Sequence, residues 1–148
     1  MNCVEEIIKL ANKAKKKNCV PVGAIVIKND KIIGKGYNKK EKTNNPMDHA
    51  EIIAIKKAVK KTKNWKLDDC ELYVTMIPCA MCKSVINETR IKKVNYILDN
   101  EKEKYKNNKN NNELKLNKIE LKEYEKTYSK ILRDFFVLKR KKSRKIVQ

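Results

Sequence analysis

No apolar run in this sequence approaches the roughly 20 residues that a membrane-spanning helix needs. The first residues, MNCVEEIIKLANKAKKK, carry acids where a secretion signal would be positive. They read as an amphipathic helix and not as a leader. Both absences predict a cytoplasmic protein without a membrane partner. No internal repeat and no linker divides the chain, so one domain over residues 1–148 is expected, long enough for its own core. Glycine is scarce: all three residues, Gly23, Gly34 and Gly36, fall in one segment. Histidine is scarcer still, since His49 is the single imidazole. A second Cys-x-x-C is missing, which excludes a four-thiolate zinc ribbon. The five cysteines cannot all pair, and without a secretion signal metal or redox use is expected ahead of disulfides.

Acidic residues are few: 18 against 37 basic ones, a net charge of +19. Such an excess points to an anionic partner, nucleic acid first. A chain-wide bias towards Lys (33 residues) and Asn (17) offers a compositional account of the same charge. The basic residues peak in the C-terminal tail, about 139–148, where Lys139, Arg140, Lys141 and Lys142 are candidate RNA contacts. A solvated, disordered tail is the competing reading.

Apolar spacing predicts a helix over 2–17. VPVGAIVIKNDKIIGKGYN then reads as a hairpin turning at Asn29-Asp30. Gly23 and Gly36 suit either close approach of a ligand or a bulge in the sheet. KKEKTNNPM reads as a polar loop. Asp48 is a candidate cap for a helix from His49 to about Lys61. A strand over 70–75 leads to Pro78 as the first residue of a helix to about 87. KKVNYIL is a strand, and EKEKYKNNKNNNE a polar, low-complexity loop. KLNKIEL holds a short fifth strand, and a last helix begins near Lys122 with Tyr128, Ile131, Leu132 and Phe135 at core spacing. Phe135-Phe136 reads as core ahead of a stacking platform. Strands alternating with helices predict an α/β domain with helices on both faces of one sheet.

The chemistry concentrates in two short segments, HAE at 49–51 and PCAMC at 78–82. Cys79 and Cys82 are three apart and share a helix face. Two thiolates and one imidazole make three zinc ligands, which leaves the fourth position for water, the pattern of a catalytic zinc site. Glu51 is then the candidate proton carrier. Residues two apart in a helix point to nearly opposite sides, so His49 and Glu51 can address one metal only off the helix end. The bland alternatives are a capping pair of Asp48 with Glu51, a surface His49, and a thioredoxin-type redox pair of Cys79 with Cys82.

These segments match the H-x-E and P-C-x-x-C signature of zinc nucleobase deaminases. With VPVGAIVIKNDKIIGKGYN, HAEIIAI, LYVT and ILRDFF, the chain resembles the bacterial tRNA adenosine deaminases, the TadA family. The resemblance implies a cytidine-deaminase-like three-layer α/β/α sandwich around a mixed five-stranded sheet. It implies one zinc held by His49, Cys79 and Cys82, with Glu51 moving protons and Asn38 hydrogen-bonding the substrate. It further implies a homodimer that converts the wobble adenosine of a tRNA anticodon loop to inosine. The chain departs from the family at Met47-Asp48, at Ile77 where a Glu is usual, and after the fourth strand, where Asp99 and Asn100 compete for an Asp position. A deaminase of a free base, nucleoside or nucleotide shares the zinc site and is the alternative.

Overall fold

The structure, a computed structural model, describes residues 2–100 and 114–147. The polar loop expected at 101–113 lies outside the described residues. Helix α1 (Cys3–Lys16) starts where the Asn2 side chain accepts the Val4 and Glu5 amides, each at 3.1 Å. Glu5 and Glu6 in its first turn and Lys13, Lys15 and Lys16 in its last complement the helix dipole. Strands β1 (Gly23–Lys28) and β2 (Lys31–Tyr37) form the expected hairpin. Asn29 and Asp30 both take positive φ, 49° and 61°, as a two-residue turn of this hand requires.

A single helical turn, α2 (Lys40–Thr43), interrupts what the sequence presents as plain loop. Helix α3 (Ala50–Thr62), strand β3 (Glu71–Met76), helix α4 (Ala80–Glu88) and strand β4 (Lys93–Leu98) follow. Strand β5 (Lys115–Lys118) and helix α5 (Lys122–Val147) complete the described chain. Helix α3 begins at Ala50 and not at His49, and two further boundaries differ from expectation. Helix α4 begins at Ala80 and not at Pro78, because Ile77, Pro78 and Cys79 continue the extended path out of β3. The basic tail is helical as far as Val147.

The sheet order is β2-β1-β3-β4-β5. Strand β1 runs antiparallel to both β2 and β3, whereas β3, β4 and β5 are mutually parallel. Alternation along the strands sorts the core into two layers. Ala24, Val26, Leu72, Val74 and Val94 meet Ala50, Ala54, Ile55 and Ile86 from α3 and α4. Ile25, Ile27 and Ile97 meet Ile7, Ile8, Ala11, Tyr128 and Leu132 from α1 and α5. The result is the mixed α/β/α sandwich that the alternating elements predict.

Glycine scarcity has a physical reason here. A Cβ at Gly23 would strike the Ile7 carbonyl of α1, and one at Gly36 the Ala50 carbonyl of α3. Both positions admit helix backbone against the sheet, one on each face, and the ligand approach entertained for them is replaced by helix packing. Phe135 and Phe136 divide: Phe135 is buried and Phe136 exposed, their rings edge to face at 5.2 Å.

Candidate active site

Strand β3 ends between an antiparallel neighbour and a parallel one, a place where the chain directions diverge and a crevice opens. Two helices begin beside that crevice. His49 precedes α3 with extended backbone, φ −76° and ψ 151°. Cys79 precedes α4 in the same way, φ −70° and ψ 171°. Cys82 falls in the first turn of α4, and α3 packs against α4. Because His49 stands outside its helix, the helical rule that would oppose it to Glu51 does not apply. Both helix N-termini present partial positive charge, which favours thiolates.

His49 Nδ1 lies 3.7 Å from Cys79 Sγ and 3.4 Å from Cys82 Sγ. All three donor atoms lie within 4.8 Å of one another, and no other such trio of His, Cys, Asp or Glu occurs among the described residues. Tetrahedral zinc, with Zn–S near 2.3 Å and Zn–N near 2.0–2.1 Å, sets sulfur and nitrogen roughly 3.6 Å apart. The donors therefore stand at a metal's spacing, and their chemistry, two sulfurs and one imidazole, suits zinc. The Cys82 thiol pulls Cys79 down to about 3, His49 assisting, while Cys79 and burial push Cys82 up. Its hydrogen bond to Cys79 raises His49. Two sulfurs this close share one proton, and a cation among them favours thiolate on both.

Glu51 is only 4% exposed. Burial pushes its carboxyl up to about 7, and the Cys79 charge adds to the shift. The capping reading fails on geometry. His49 occupies the cap position, and the Asp48 carboxylate instead accepts the Thr43 hydroxyl at 2.7 Å. Glu51, His49 and Cys79 line a cavity of about 180 Å³ together with Asn38, Ile77 and Asn100. Asn38 is buried. Its Nδ2 donates to Val20 O and to Glu41 Oε2, both at 3.1 Å, and its Oδ1 accepts the Lys40 amide at 3.0 Å.

The departures noted in the sequence divide here. Ile77 lines the cavity as a buried apolar wall, whereas Met47 is exposed and lies outside the lining. Asp99 turns away: it accepts the Tyr96 hydroxyl at 3.0 Å and pairs with Lys118 at 3.0 Å. Asn100 lines the cavity, with its Nδ2 3.7 Å from Met76 Sδ. Sequence pattern alone cannot rank two adjacent polar residues after a strand. Tyr128 is buried as its spacing predicts, but an aromatic at core spacing carries no sign that its hydroxyl donates to Pro21 O at 2.6 Å. Lys139, Arg140, Lys141 and Lys142 are exposed on the last turns of α5 and do not line the cavity.

A family model described as MafB19-like deaminase matches residues 2–140. The chain belongs to this family. The MafB19-like chain is 45% identical over 95 residues to a tRNA-specific adenosine deaminase of Rickettsia bellii. That match covers 63% of this chain and 66% of the relative, just under two thirds of its length. A guanine deaminase structure from Bacillus subtilis is 28% identical at a TM-score of 0.65, over 87% of this chain and 92% of that one. A structure from work on A-to-I editing by tRNA:A34 deaminases shares the fold, at 24% identity and a TM-score of 0.72, over 79% of this chain and 96% of the other. No helix among the described residues is long and apolar enough to cross a membrane.

Proposed function

We propose that this MafB19-like deaminase is a zinc-dependent hydrolase that converts the wobble adenosine of a tRNA anticodon to inosine and releases ammonia. The observation that carries the reading is a buried carboxylate, Glu51, on the wall of a cavity that also holds His49, Cys79 and, behind them, Cys82. His49, Cys79 and Cys82 would hold one zinc per chain. Zinc held there would supply Lewis acidity that makes a water nucleophile available near neutral pH. Glu51 would carry the first proton of the attacking water to the ring nitrogen and the second, from the hydroxyl that the attack forms on C6, to the amine that leaves as ammonia. Asn38 has both Nδ2 hydrogens occupied, so it meets the substrate as an acceptor through the remaining lone pair of Oδ1.

The cavity, about 180 Å³, is smaller than the roughly 300 Å³ at which pockets for drug-sized ligands begin. It suits one base drawn out of its strand, with sugar and phosphate outside. The Rickettsia bellii relative and the +19 charge support tRNA as the donor of that base. The reading includes a cytoplasmic homodimer, and light scattering of the purified protein checks the dimer. A free-base deaminase is the second reading, favoured by the 28% identity to the Bacillus subtilis guanine deaminase. The deciding assay compares an anticodon stem-loop with free adenosine, cytidine and guanine at equal enzyme. Inosine forming fastest in the stem-loop supports the tRNA reading, and faster turnover of a free base or nucleoside replaces it with the second.

A further inference from the structure

Just outside the cavity, three lysines from two separate segments gather around one aromatic ring. Lys17, at the end of α1, places Nζ 2.6 Å from the Tyr37 hydroxyl and 5.1 Å from the ring centroid. Lys39 places Nζ 4.9 Å from the same centroid. Lys42, on α2, is exposed and within electrostatic reach of the Tyr37 hydroxyl. The Tyr37 hydroxyl accepts from the Lys17 ammonium, while the ring attracts the Lys39 ammonium. No carboxylate neutralises them: among the described residues, no ion pair joins Lys17, Lys39 or Lys42 to an acid. The nearest acid in sequence, Glu41, is turned to Asn38 Nδ2 at 3.1 Å.

The position of this cluster relates it to the cavity. Tyr37 immediately precedes Asn38, which lines the cavity, and Lys40 lines it too. The Lys39 amide donates to Asp48 O at 3.0 Å, which ties the cluster to the residue before His49. An extruded nucleotide leaves its flanking phosphates at the rim of the pocket that takes its base. We infer that the Lys17, Tyr37, Lys39 and Lys42 cluster binds a backbone phosphate next to the base in the cavity, and so recognises RNA where the basic tail only attracts it. The inference rests on the tRNA reading above.

The test measures binding of a fluorescently labelled anticodon stem-loop by anisotropy, between about 50 and about 200 mM salt, independently of turnover. The double variant K17Q/K39Q is compared with K60Q/K61Q, which removes the same charge from the far end of α3. The first should bind about tenfold more weakly, with a salt slope shallower by about 0.7, the contribution of one single-strand phosphate no longer neutralised. The second should stay within about twofold of the unaltered protein. Equal behaviour of the two variants, or no binding of the stem-loop by the unaltered protein, overturns the inference. K39Q alone keeps the Lys17–Tyr37 hydrogen bond and carries the test if the double variant does not fold. A parallel arm compares adenosine with adenosine 5′-monophosphate. A phosphate-dependent fall in KM that K17Q/K39Q abolishes would assign the cluster to a free nucleotide and overturn the RNA assignment. Weakened binding by K17Q/K39Q without inosine in the RNA would leave the cluster standing and remove the tRNA deaminase reading. Inosine formation with unchanged binding would do the reverse.

Discussion

Glu51 is a carboxylate at 4% exposure beside three donors that stand at a metal's spacing. Its capping pair with Asp48 does not form, since His49 stands at the cap and Asp48 is held by Thr43; Glu51 instead bonds its own amide and the Cys82 thiol. Glu51→Ala should therefore retain one zinc per chain while turnover falls by at least about 10²-fold, the scale of a lost proton carrier. His49→Ala should lose zinc as well as activity. Metal analysis beside single-turnover kinetics checks both, and near-normal turnover in Glu51→Ala would remove it from the chemistry. Replacing Cys3, Cys19 and Cys70 together should leave zinc stoichiometry unchanged, because none of them belongs to the donor trio.

Elements place these residues through close backbone packing. Gly36 lets β2 lie against the first turn of α3, the helix that His49 introduces. Gly36→Ala forces that helix off the sheet, with an expected cost of about 1–3 kcal/mol and weaker zinc retention. Denaturant unfolding together with chelator competition measures the two effects. The hairpin allows a change in the opposite direction. Asp30 holds φ at 61°, a region glycine occupies without strain, so Asp30→Gly should stabilise the protein by about 0.5–1 kcal/mol. An unchanged or lowered unfolding midpoint would contradict that reading of the turn.

Across the whole molecule, charge and shape have different tasks. Among the described side chains of α5, Phe135 is the last that is buried, and residues 136–144 are exposed. Ending the chain after Leu138 should leave zinc content and melting unchanged. It should weaken RNA binding and flatten its salt dependence, since each lysine that neutralises a phosphate releases a counterion. Filter binding at several salt concentrations reads this directly. A truncated protein with the full salt slope would show that the tail is merely solvated.

Apart from the single turn α2, the sequence alone determined the order of elements, because apolar periodicity switches between helix and strand wherever a layer is buried on one side. It also pointed to the donor set, through one histidine and one Cys-x-x-C, and the structure brings those three together. Tertiary structure decided what depends on neighbours distant in the chain. Asn100 lines the cavity and Asp99 does not, because Tyr96 and Lys118 hold Asp99 elsewhere. Gly23 and Gly36 serve helix backbone, which no local pattern reveals. Glu51 is a buried acid and not a cap, because the chain stays extended through His49 and starts its helix one residue later. Lys17 reaches Tyr37 across 20 positions only because α1 ends beside β2. Local free energies select helix, strand and turn within a few residues, whereas burial and charge proximity are set by packing, and packing is what makes a site.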